Sequence, residues 1–172
     1  TVNSFESGLE VFKPTIAAVN GTCVGYGLTA VVSCDFVVAS DRATFSWPEV
    51  TIGIPTIVGA IRLPRKVAWA DAMELLLTGE TIDAQRALDI GLAWRVVPHH
   101  DLMAEARALA DRLCQAAPLA ARATKEVAVR TRDMGWTEAV RFGETMRRVA
   151  GAPHDATEGR TAWRQKRPPE WE

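Results

Sequence analysis

The stretch "TIAAVNGTCVGYGLTAVVSCD", residues 15–35, carries the clearest structural pattern in this chain. It begins with a short apolar run, TIAAV, which is typical of a buried strand. Two glycines, Gly25 and Gly27, then flank Tyr26 directly before a second apolar run. Glycine adopts the backbone conformations that tight turns need. The pattern therefore predicts a strand, a glycine turn and a short helix over residues 27–34, and the function of the turn becomes the first question.

The turn formally fits the dinucleotide-binding pattern G-x-G-x-x-G/A, because Ala30 completes the run that Gly25 begins. In that motif, however, a full crossover helix leads to the second strand. Here the next strand-like run, DFVVAS, follows Gly27 after only a few residues. No Lys-Ser or Lys-Thr pair follows the glycines, so a P-loop is also disfavoured. Binding of a nucleotide phosphate is therefore not the expected function of this turn.

Two interpretations of the turn remain open. The first backbone N–H groups of a helix have no intrahelical acceptor, so Tyr26 and Gly27 can present donors to an anion or to a developing oxyanion. The glycines would then allow a ligand to approach the backbone closely. In the alternative, the glycines serve only a tight turn into a buried helix.

The composition is that of an ordinary globular protein. The chain has 172 residues, 48% of them hydrophobic and 24% charged, with a net charge of -1. There is no basic excess of the kind that nucleic-acid binding requires. Cys23, Cys34 and Cys114 have neither disulfide nor zinc spacing, and the first two lie among apolar residues as in a core. With no signal peptide and no apolar run of membrane-spanning length, a cytoplasmic location is expected.

The chain divides into two regions by pattern. Up to residue 98, short β-like runs (TIAAV, DFVVAS, ATFSW and LAWRVV) alternate with helical segments, of which WADAMELLLTG is the longest. We therefore predict an α/β core over residues 1–98. Over residues 99–172 apolar residues recur at helical spacing, including Ala139, Phe142, Met146 and Val149. This second region is predicted to be helical.

Glu49 is the most conspicuous candidate for chemistry. It follows FSWP and precedes the apolar VTIGIP, surroundings in which an inward-facing carboxyl would suit general acid/base catalysis. Equally, a glutamate directly after Pro48 suits the solvent-facing first turn of a helix. His99, His100 and His154 are expected in surface or capping positions rather than in a metal site. Asp83 is predicted to cap a helix that ends at Gly91.

Several blocks together resemble the enoyl-CoA hydratase/isomerase (crotonase) family. They are KPTIAAVNG, the GYG turn, CD, ATFSWPE, LLLTGETIDAQRALDIGL and the ending EGRTAWRQKRPPEW, in the order of that family. The resemblance implies an α/β fold, a spiral of β-β-α units followed by a C-terminal helical trimerisation region. It covers the second half to two-thirds of the usual family chain, so the N-terminal part is expected to be missing here.

The resemblance also implies a site. In this family the G-x-G turn presents a backbone N–H to the thioester oxygen of an acyl-CoA, and the register assigns that N–H to Tyr26. The glutamate of the P-E block, which acts as acid or base, corresponds to Glu49. We therefore expect Glu49 and Tyr26 to be catalytic. The residues expected to bind substrate are Gly25, Gly27, Thr29, Trp47, Ile57, Val58 and Lys166.

One position departs from the family pattern. Hydratases of this family commonly carry a second glutamate two positions beyond the turn, where this chain has Thr29. A hydroxyl cannot serve as a carboxylate base near neutral pH. The resemblance then favours isomerisation of an enoyl-CoA double bond, with hydration or another enolate reaction open. A non-catalytic acyl-CoA-binding or assembly subunit is the alternative from a different class.

The implied partners follow from the same resemblance. Coenzyme A enters as part of the thioester substrate, and no further cofactor and no metal is expected. A homotrimer or homohexamer is expected, with no nucleic acid and no membrane among the partners.

Overall fold

The computed structural model describes residues 11–151 and 154–172. Within them the chain forms two compact units, one of residues 15–110 and one of residues 11–14 and 111–172. The first unit contains β1 (Ile16–Val19), β2 (Thr22–Val24), α1 (Tyr26–Val32), β3 (Phe36–Ser40), β4 (Thr44–Ser46), α2 (Val58–Arg62), α3 (Trp69–Thr78), β5 (Ile82–Asp83), α4 (Ala84–Asp89) and β6 (Arg95–Val97). α5 (Leu102–Cys114) follows, and the second unit adds α6 (Pro118–Arg130), α7 (Trp136–Ala150) and α8 (His154–Gln165).

Two small sheets organise the first unit. In one, β1, β3 and β6 lie parallel in that order, with Ile16 opposite Phe36 and Val38 opposite Arg95. In the other, β2 pairs with β4 in parallel and β4 pairs with β5 antiparallel. Each pass of the chain thus adds one strand to each sheet, as in a spiral of β-β-α units.

The core lies between the strands and the short helices. Val37, Phe45 and Trp47 are fully buried, as are Leu28 of α1 and Leu75 of α3. Both faces of β3 are covered, so its sequence is a continuous apolar run rather than an alternating one.

Helix ends in this unit follow the expected chemistry. The Asp83 carboxylate accepts a hydrogen bond of 2.7 Å from the Arg86 N–H and caps α4. Gly91, with φ of 79°, follows the end of the same helix in a left-handed conformation, as predicted. α3 ends in the same way at Gly79, where φ is 70°.

The second unit is helical, as predicted. α6 begins at Pro118 and packs against α7. Of the apolar face predicted on α7, Ala139, Phe142 and Met146 are half-buried, whereas Val149 is 68% exposed. The assignment of residues 99–172 to oligomerisation, and of residues 1–98 to the core, stays a prediction.

Some elements differ from their predicted form. α1 ends at Val32, and Cys34 beyond it is half-buried rather than fully in the core. β2 and β5 were not predicted, because strands of three and two residues carry no period of their own. Within the described residues, no helix has the length and apolar character needed to cross a membrane.

Candidate active site

The glycine turn joins β2 to α1 and is fixed on both sides. Gly25 has φ of 56° and ψ of −117°, a conformation that favours glycine. Its N–H donates a hydrogen bond of 3.0 Å to the Ser46 carbonyl at the end of β4. Its carbonyl accepts one of 2.9 Å from the Thr29 N–H and one of 3.2 Å from the Thr29 hydroxyl. The Gly25 backbone is therefore held between β4 and α1.

The Glu49 carboxyl lies directly over this turn. A Cβ atom built on Gly25 would come within 2.6 Å of Glu49 Oε1, so the carboxyl occupies the space that a side chain at Gly25 would need. Within the described part of the chain, Glu49 Oε2 is buried and has no hydrogen-bond partner. Buried carboxyl oxygens are normally paired, and an unpaired one calls for an explanation such as a catalytic role or a bound group.

The two sequence interpretations of Glu49 both contain part of the answer. The residue does lie in the first turn of a 3-10 helix, Pro48–Ile52, with proline at the start. Its carboxyl nevertheless faces inward, towards Gly25. This 3-10 helix is itself anchored. The Ile54 N–H donates a hydrogen bond of 2.9 Å to the Glu49 carbonyl, and Gly79 at the end of α3 packs against Pro48.

Trp47 and Thr29 form a buried pair beside the turn. Trp47 is fully buried, and its indole Nε1 donates a hydrogen bond of 3.1 Å to the Thr29 hydroxyl. A Cβ built on Gly59 of α2 would lie 2.8 Å from that nitrogen, so the indole fits closely against α2. Direct contact of Trp47 and Thr29 with substrate stays a prediction, while both side chains have defined roles in the packing of the turn.

Tyr26 and Gly27 begin α1 on its open side. The Tyr26 side chain is 67% exposed, and no atom lies within 4 Å of a Cβ built on Gly27. In a trans peptide the C=O and the following N–H point in opposite directions. Because the Gly25 carbonyl points at Thr29, the Tyr26 N–H points away from the body of α1.

The remaining predicted site residues are placed separately. Ile57 is exposed and Val58 is half-buried at the start of α2, which packs against α1. Lys166 is exposed, lies in the second unit and follows the last residue of α8. Gly25, Tyr26, Gly27, Thr29, Trp47 and Glu49 are thus brought together in one unit, whereas Lys166 belongs to the other.

Other reactive side chains offer less. Burial raises the pKa of the Cys23 thiol to about 11, which keeps it protonated and a poor nucleophile near neutral pH. His99 is exposed and its Nδ1 lies 3.1 Å from the Ser40 hydroxyl. Among residues 11–151 and 154–172, no three histidine, cysteine, aspartate or glutamate side chains are grouped so that they could hold a metal ion.

Sequence reasoning missed two residues that shape the site. Ser46 supplies the carbonyl that holds the Gly25 N–H, and Gly59 leaves the space that the Trp47 indole fills. A backbone acceptor and a missing side chain leave no pattern in the sequence. Only the parallel pairing of β2 with β4 brings Ser46 to the turn.

Comparison with known proteins gives a consistent result. A family model described as enoyl-CoA hydratase/isomerase matches residues 3–172. The chain is 41% identical to carnitinyl-CoA dehydratase of Salmonella arizonae, covering 92% of this chain and 63% of that protein. It is 40% identical to a probable enoyl-CoA hydratase of Mycobacterium bovis, covering 94% and 63%. The chain therefore spans less than two-thirds of the length of these relatives.

Solved structures support the same relationship. The crystal structure of enoyl-CoA hydratase from Bacillus anthracis superposes with a TM-score of 0.92 at 31% identity, over 97% of this chain and 65% of that one. Enoyl-CoA hydratase EchA1 from Mycobacterium marinum gives a TM-score of 0.91 at 32% identity, over 95% and 68%. The predicted fold class is confirmed by these neighbours.

Proposed function

The chain belongs to the enoyl-CoA hydratase/isomerase family, and on that premise we propose that it acts on acyl-CoA thioesters by moving a proton at carbon 2. The proton transfer proceeds through an enolate, with Glu49 as the acid/base and the Tyr26 N–H as a donor to the thioester oxygen. Coenzyme A is part of the substrate, and the reaction calls for no further cofactor.

The position of the Glu49 carboxyl over Gly25 is the observation that carries this proposal. Oε1 lies against the backbone of the turn, and Oε2 is buried without a partner among the described residues. Tyr26, the residue after Gly25, bears the proposed oxyanion donor, so the Glu49 carboxyl lies over the turn that carries this donor. Such pre-organisation is what proton abstraction beside a carbonyl requires.

Isomerisation of a 3-enoyl-CoA illustrates the chemistry. The Glu49 carboxylate removes a proton from carbon 2, and the electron pair of the broken C–H bond shifts towards the thioester oxygen, where the Tyr26 N–H stabilises the charge. The protonated Glu49 then delivers the proton to carbon 4, so the double bond moves from carbons 3 and 4 to carbons 2 and 3. One carboxyl suffices for both transfers, in agreement with threonine rather than glutamate at position 29.

Hydration or dehydration is the second candidate, and the names of the relatives favour it. The two relatives from Salmonella arizonae and Mycobacterium bovis carry the names of a dehydratase and a hydratase. In that reaction Glu49 would transfer a proton between carbon 2 and the oxygen of water or a leaving hydroxyl. The single Glu49 carboxyl would then have to exchange a proton both with carbon 2 and with the oxygen of water or of the leaving hydroxyl.

Three further parts of the proposal concern binding and assembly. Gly25, Gly27, Thr29, Trp47, Ile57 and Val58 shape the acyl-binding region, and Lys166 supplies positive charge for the phosphates of coenzyme A. The complete protein forms a homotrimer or a homohexamer. We further propose a cytoplasmic location.

Turnover measured on a panel of acyl-CoA substrates tests the function. The full-length protein is assayed with crotonyl-CoA, a 3-enoyl-CoA and a 3-hydroxyacyl-CoA, and Glu49→Gln is assayed alongside. We expect turnover of at least one substrate and a loss of about two to four orders of magnitude in the variant. Binding without turnover of any of them would instead favour the non-catalytic acyl-CoA-binding subunit.

A further inference from the structure

We propose that Thr29 is a positioning residue: its hydroxyl couples the Gly25–Tyr26 peptide to the Trp47–Glu49 segment and thereby holds the oxyanion donor and the acid/base in one geometry. This role rests on the proposed function, because it concerns the same two groups. It differs from the contact with substrate that the resemblance implies for position 29.

The hydrogen bonds of the Thr29 hydroxyl are already committed within the protein. A hydroxyl has a single hydrogen to donate, and here it is directed to the Gly25 carbonyl at 3.2 Å. The oxygen accepts from Trp47 Nε1 at 3.1 Å. Thr29 is 6% exposed and Trp47 is fully buried, so water does not compete for either bond. The hydroxyl therefore acts through these two partners.

The first partner controls the oxyanion donor. The Gly25 carbonyl and the Tyr26 N–H belong to one planar peptide unit, so fixing the direction of the C=O also fixes that of the N–H. The Thr29 N–H and hydroxyl both bind this carbonyl, and the Ser46 carbonyl holds the Gly25 N–H on the other side. Loss of the hydroxyl removes one of these restraints on the peptide plane.

The second partner controls the acid/base. Only Pro48 separates Trp47 from Glu49, and proline fixes its own φ angle. The indole is confined by Gly59 on α2, so it has little space in which to adjust. A shift of the Trp47 side chain is therefore transmitted along a short, stiff segment to the Glu49 carboxyl.

Substitution by valine isolates the hydroxyl. Valine has nearly the shape of threonine but leaves the buried Trp47 N–H without an acceptor, which is unfavourable unless the indole moves. Serine keeps the hydroxyl and removes only a methyl group. The pair Thr29→Val and Thr29→Ser thus separates hydrogen bonding from packing, and Thr29→Ala provides a second variant without a hydroxyl.

The test measures kcat and KM of these variants in the full-length protein, with folding checked by thermal unfolding. We expect Thr29→Val to lower kcat by about 10- to 100-fold with KM within about threefold, since a small misplacement of reacting groups acts on the chemical step. Thr29→Ser should recover most of the lost kcat. In the double variant Thr29→Val/Trp47→Phe, the fold-loss in kcat should be smaller than the product of the two single fold-losses. The reason is that both changes remove the same hydrogen bond, from Trp47 Nε1 to the Thr29 hydroxyl.

Three results would overturn the role. They are a kcat of a folded Thr29→Val or Thr29→Ala protein within threefold of wild type, a Thr29→Ser protein as impaired as Thr29→Val, or an effect confined to KM. Should Thr29→Val not fold, Thr29→Ala against Thr29→Ser decides by the same criteria.

The variant Glu49→Gln, measured in parallel, separates the positioning role of Thr29 from the proposed function. If it is inactive while Thr29→Val is normal, the positioning role is wrong and the proposed function stands. If it is as active as wild type, the proposed function fails and the positioning role fails with it.

Discussion

Gly25 is the residue on which the site depends most directly, and it has two separate reasons to be glycine. Its φ of 56° lies in the region that side chains disfavour, and a Cβ there would lie 2.6 Å from Glu49 Oε1. The first reason concerns the backbone of the turn. The second couples that backbone to the proposed acid/base.

Gly25→Ala is therefore expected to reduce activity although Glu49 is unchanged. The new methyl group must displace the carboxyl, and we expect kcat/KM for an acyl-CoA to fall at least about 100-fold, as for other small misplacements of catalytic groups. The measurement is steady-state turnover together with thermal unfolding.

Gly21→Ala is the matched control for this variant. It lies before β2, and a Cβ built there meets no atom within 4 Å. It should leave turnover close to that of wild type. Equal activities of Gly25→Ala and Gly21→Ala would contradict the close contact between the turn and the Glu49 carboxyl.

At the level of single residues, the sequence indicated candidate groups for the site but not how their side chains are held. The block pattern pointed to Tyr26 and Glu49, while the direction of the Glu49 side chain stayed open, because Pro48 suits a buried and an exposed first turn equally. The contact with Gly25 decided it. The bond between Trp47 and Thr29 joins residues 18 apart, and no local pattern reports a partner at that separation.

At the scale of elements, the end of α8 has an unusual backbone. Lys166 has φ of 53°, in the left-handed region where glycine is usual. Its N–H donates to the Trp163 carbonyl at 3.3 Å, and the Arg167 N–H donates to the Ala162 carbonyl at 3.1 Å, the pattern of a Schellman motif. Backbone strain at a residue other than glycine motivates the hypothesis that the Lys166 side chain has a function, here the proposed contact with coenzyme A.

Lys166→Gly is expected to make the protein more stable and to weaken its binding of acyl-CoA. Relief of the left-handed strain should add about 1 kcal/mol to the free energy of unfolding, while loss of the ammonium group should raise KM for acyl-CoA. Lys166→Ala keeps a Cβ and should raise KM without the gain in stability. Denaturant unfolding and steady-state kinetics provide the two measurements, and an unchanged KM in both variants would exclude Lys166 from coenzyme binding.

The C-terminal segment after α8 is attached to that helix by Glu158. Both Arg167 Nη atoms donate to its carboxylate, at 2.6 and 2.8 Å, and the Glu170 N–H donates at 2.8 Å. The hydrogen bonds from Arg167, and then that from the Glu170 N–H, lower the pKa of Glu158 from 4.5 to about 2. Trp171 Nε1 adds a bond of 2.8 Å to the Gln115 carbonyl.

This attachment should depend on pH in a defined direction. A lowered pKa means that the stabilising contribution is complete above pH 4.5 and is lost as the pH falls towards 2. We expect Glu158→Gln to lower the protection factors, the ratio of intrinsic to observed amide exchange rate, of Arg167, Glu170, Trp171 and Glu172 at pH 7. Wild type should lose the same protection only on acidification below pH 4.5. Glu144→Gln removes an exposed pair with Arg147 on α7 and serves as the control. Exchange in this segment that is equal in Glu158→Gln and wild type would contradict the attachment.

Helices and strands were predictable from the sequence where they are long enough to show an apolar pattern of their own. β3 and α3 are long enough to show an apolar run or a helical face. β2 has only Thr22, Cys23 and Val24, and it is a strand because it pairs with β4. The sequence RQKRPPEWE has the composition of a solvated tail. Its part beyond α8 is nevertheless held by Glu158 of α8 and by the carbonyl of Gln115, which follows α5.

At the scale of the whole molecule, exposed apolar side chains on α7 point to assembly. Trp136 is 84% exposed and Val149 is 68% exposed, and exposed apolar surface of this kind marks interaction sites. We expect the full-length protein to have a mass in solution that is a multiple of three chains. Light scattering over a dilution series in the micromolar range measures this, and a stable monomer or an isolated dimer would contradict the proposed trimer.

Exchange of the carbon-2 proton reports on the proposed role of Glu49 by itself, because it needs neither an isomerised nor a hydrated product. The full-length protein is incubated in D₂O with a saturated acyl-CoA, and deuterium at carbon 2 is followed by mass spectrometry, with Glu49→Gln and Glu49→Asp in parallel. Wild type should incorporate deuterium, Glu49→Gln should be slower by at least about two orders of magnitude, and Glu49→Asp, which keeps a displaced carboxyl, should lie between them. Incorporation by Glu49→Gln at the rate of wild type would contradict the assignment of Glu49 as the acid/base.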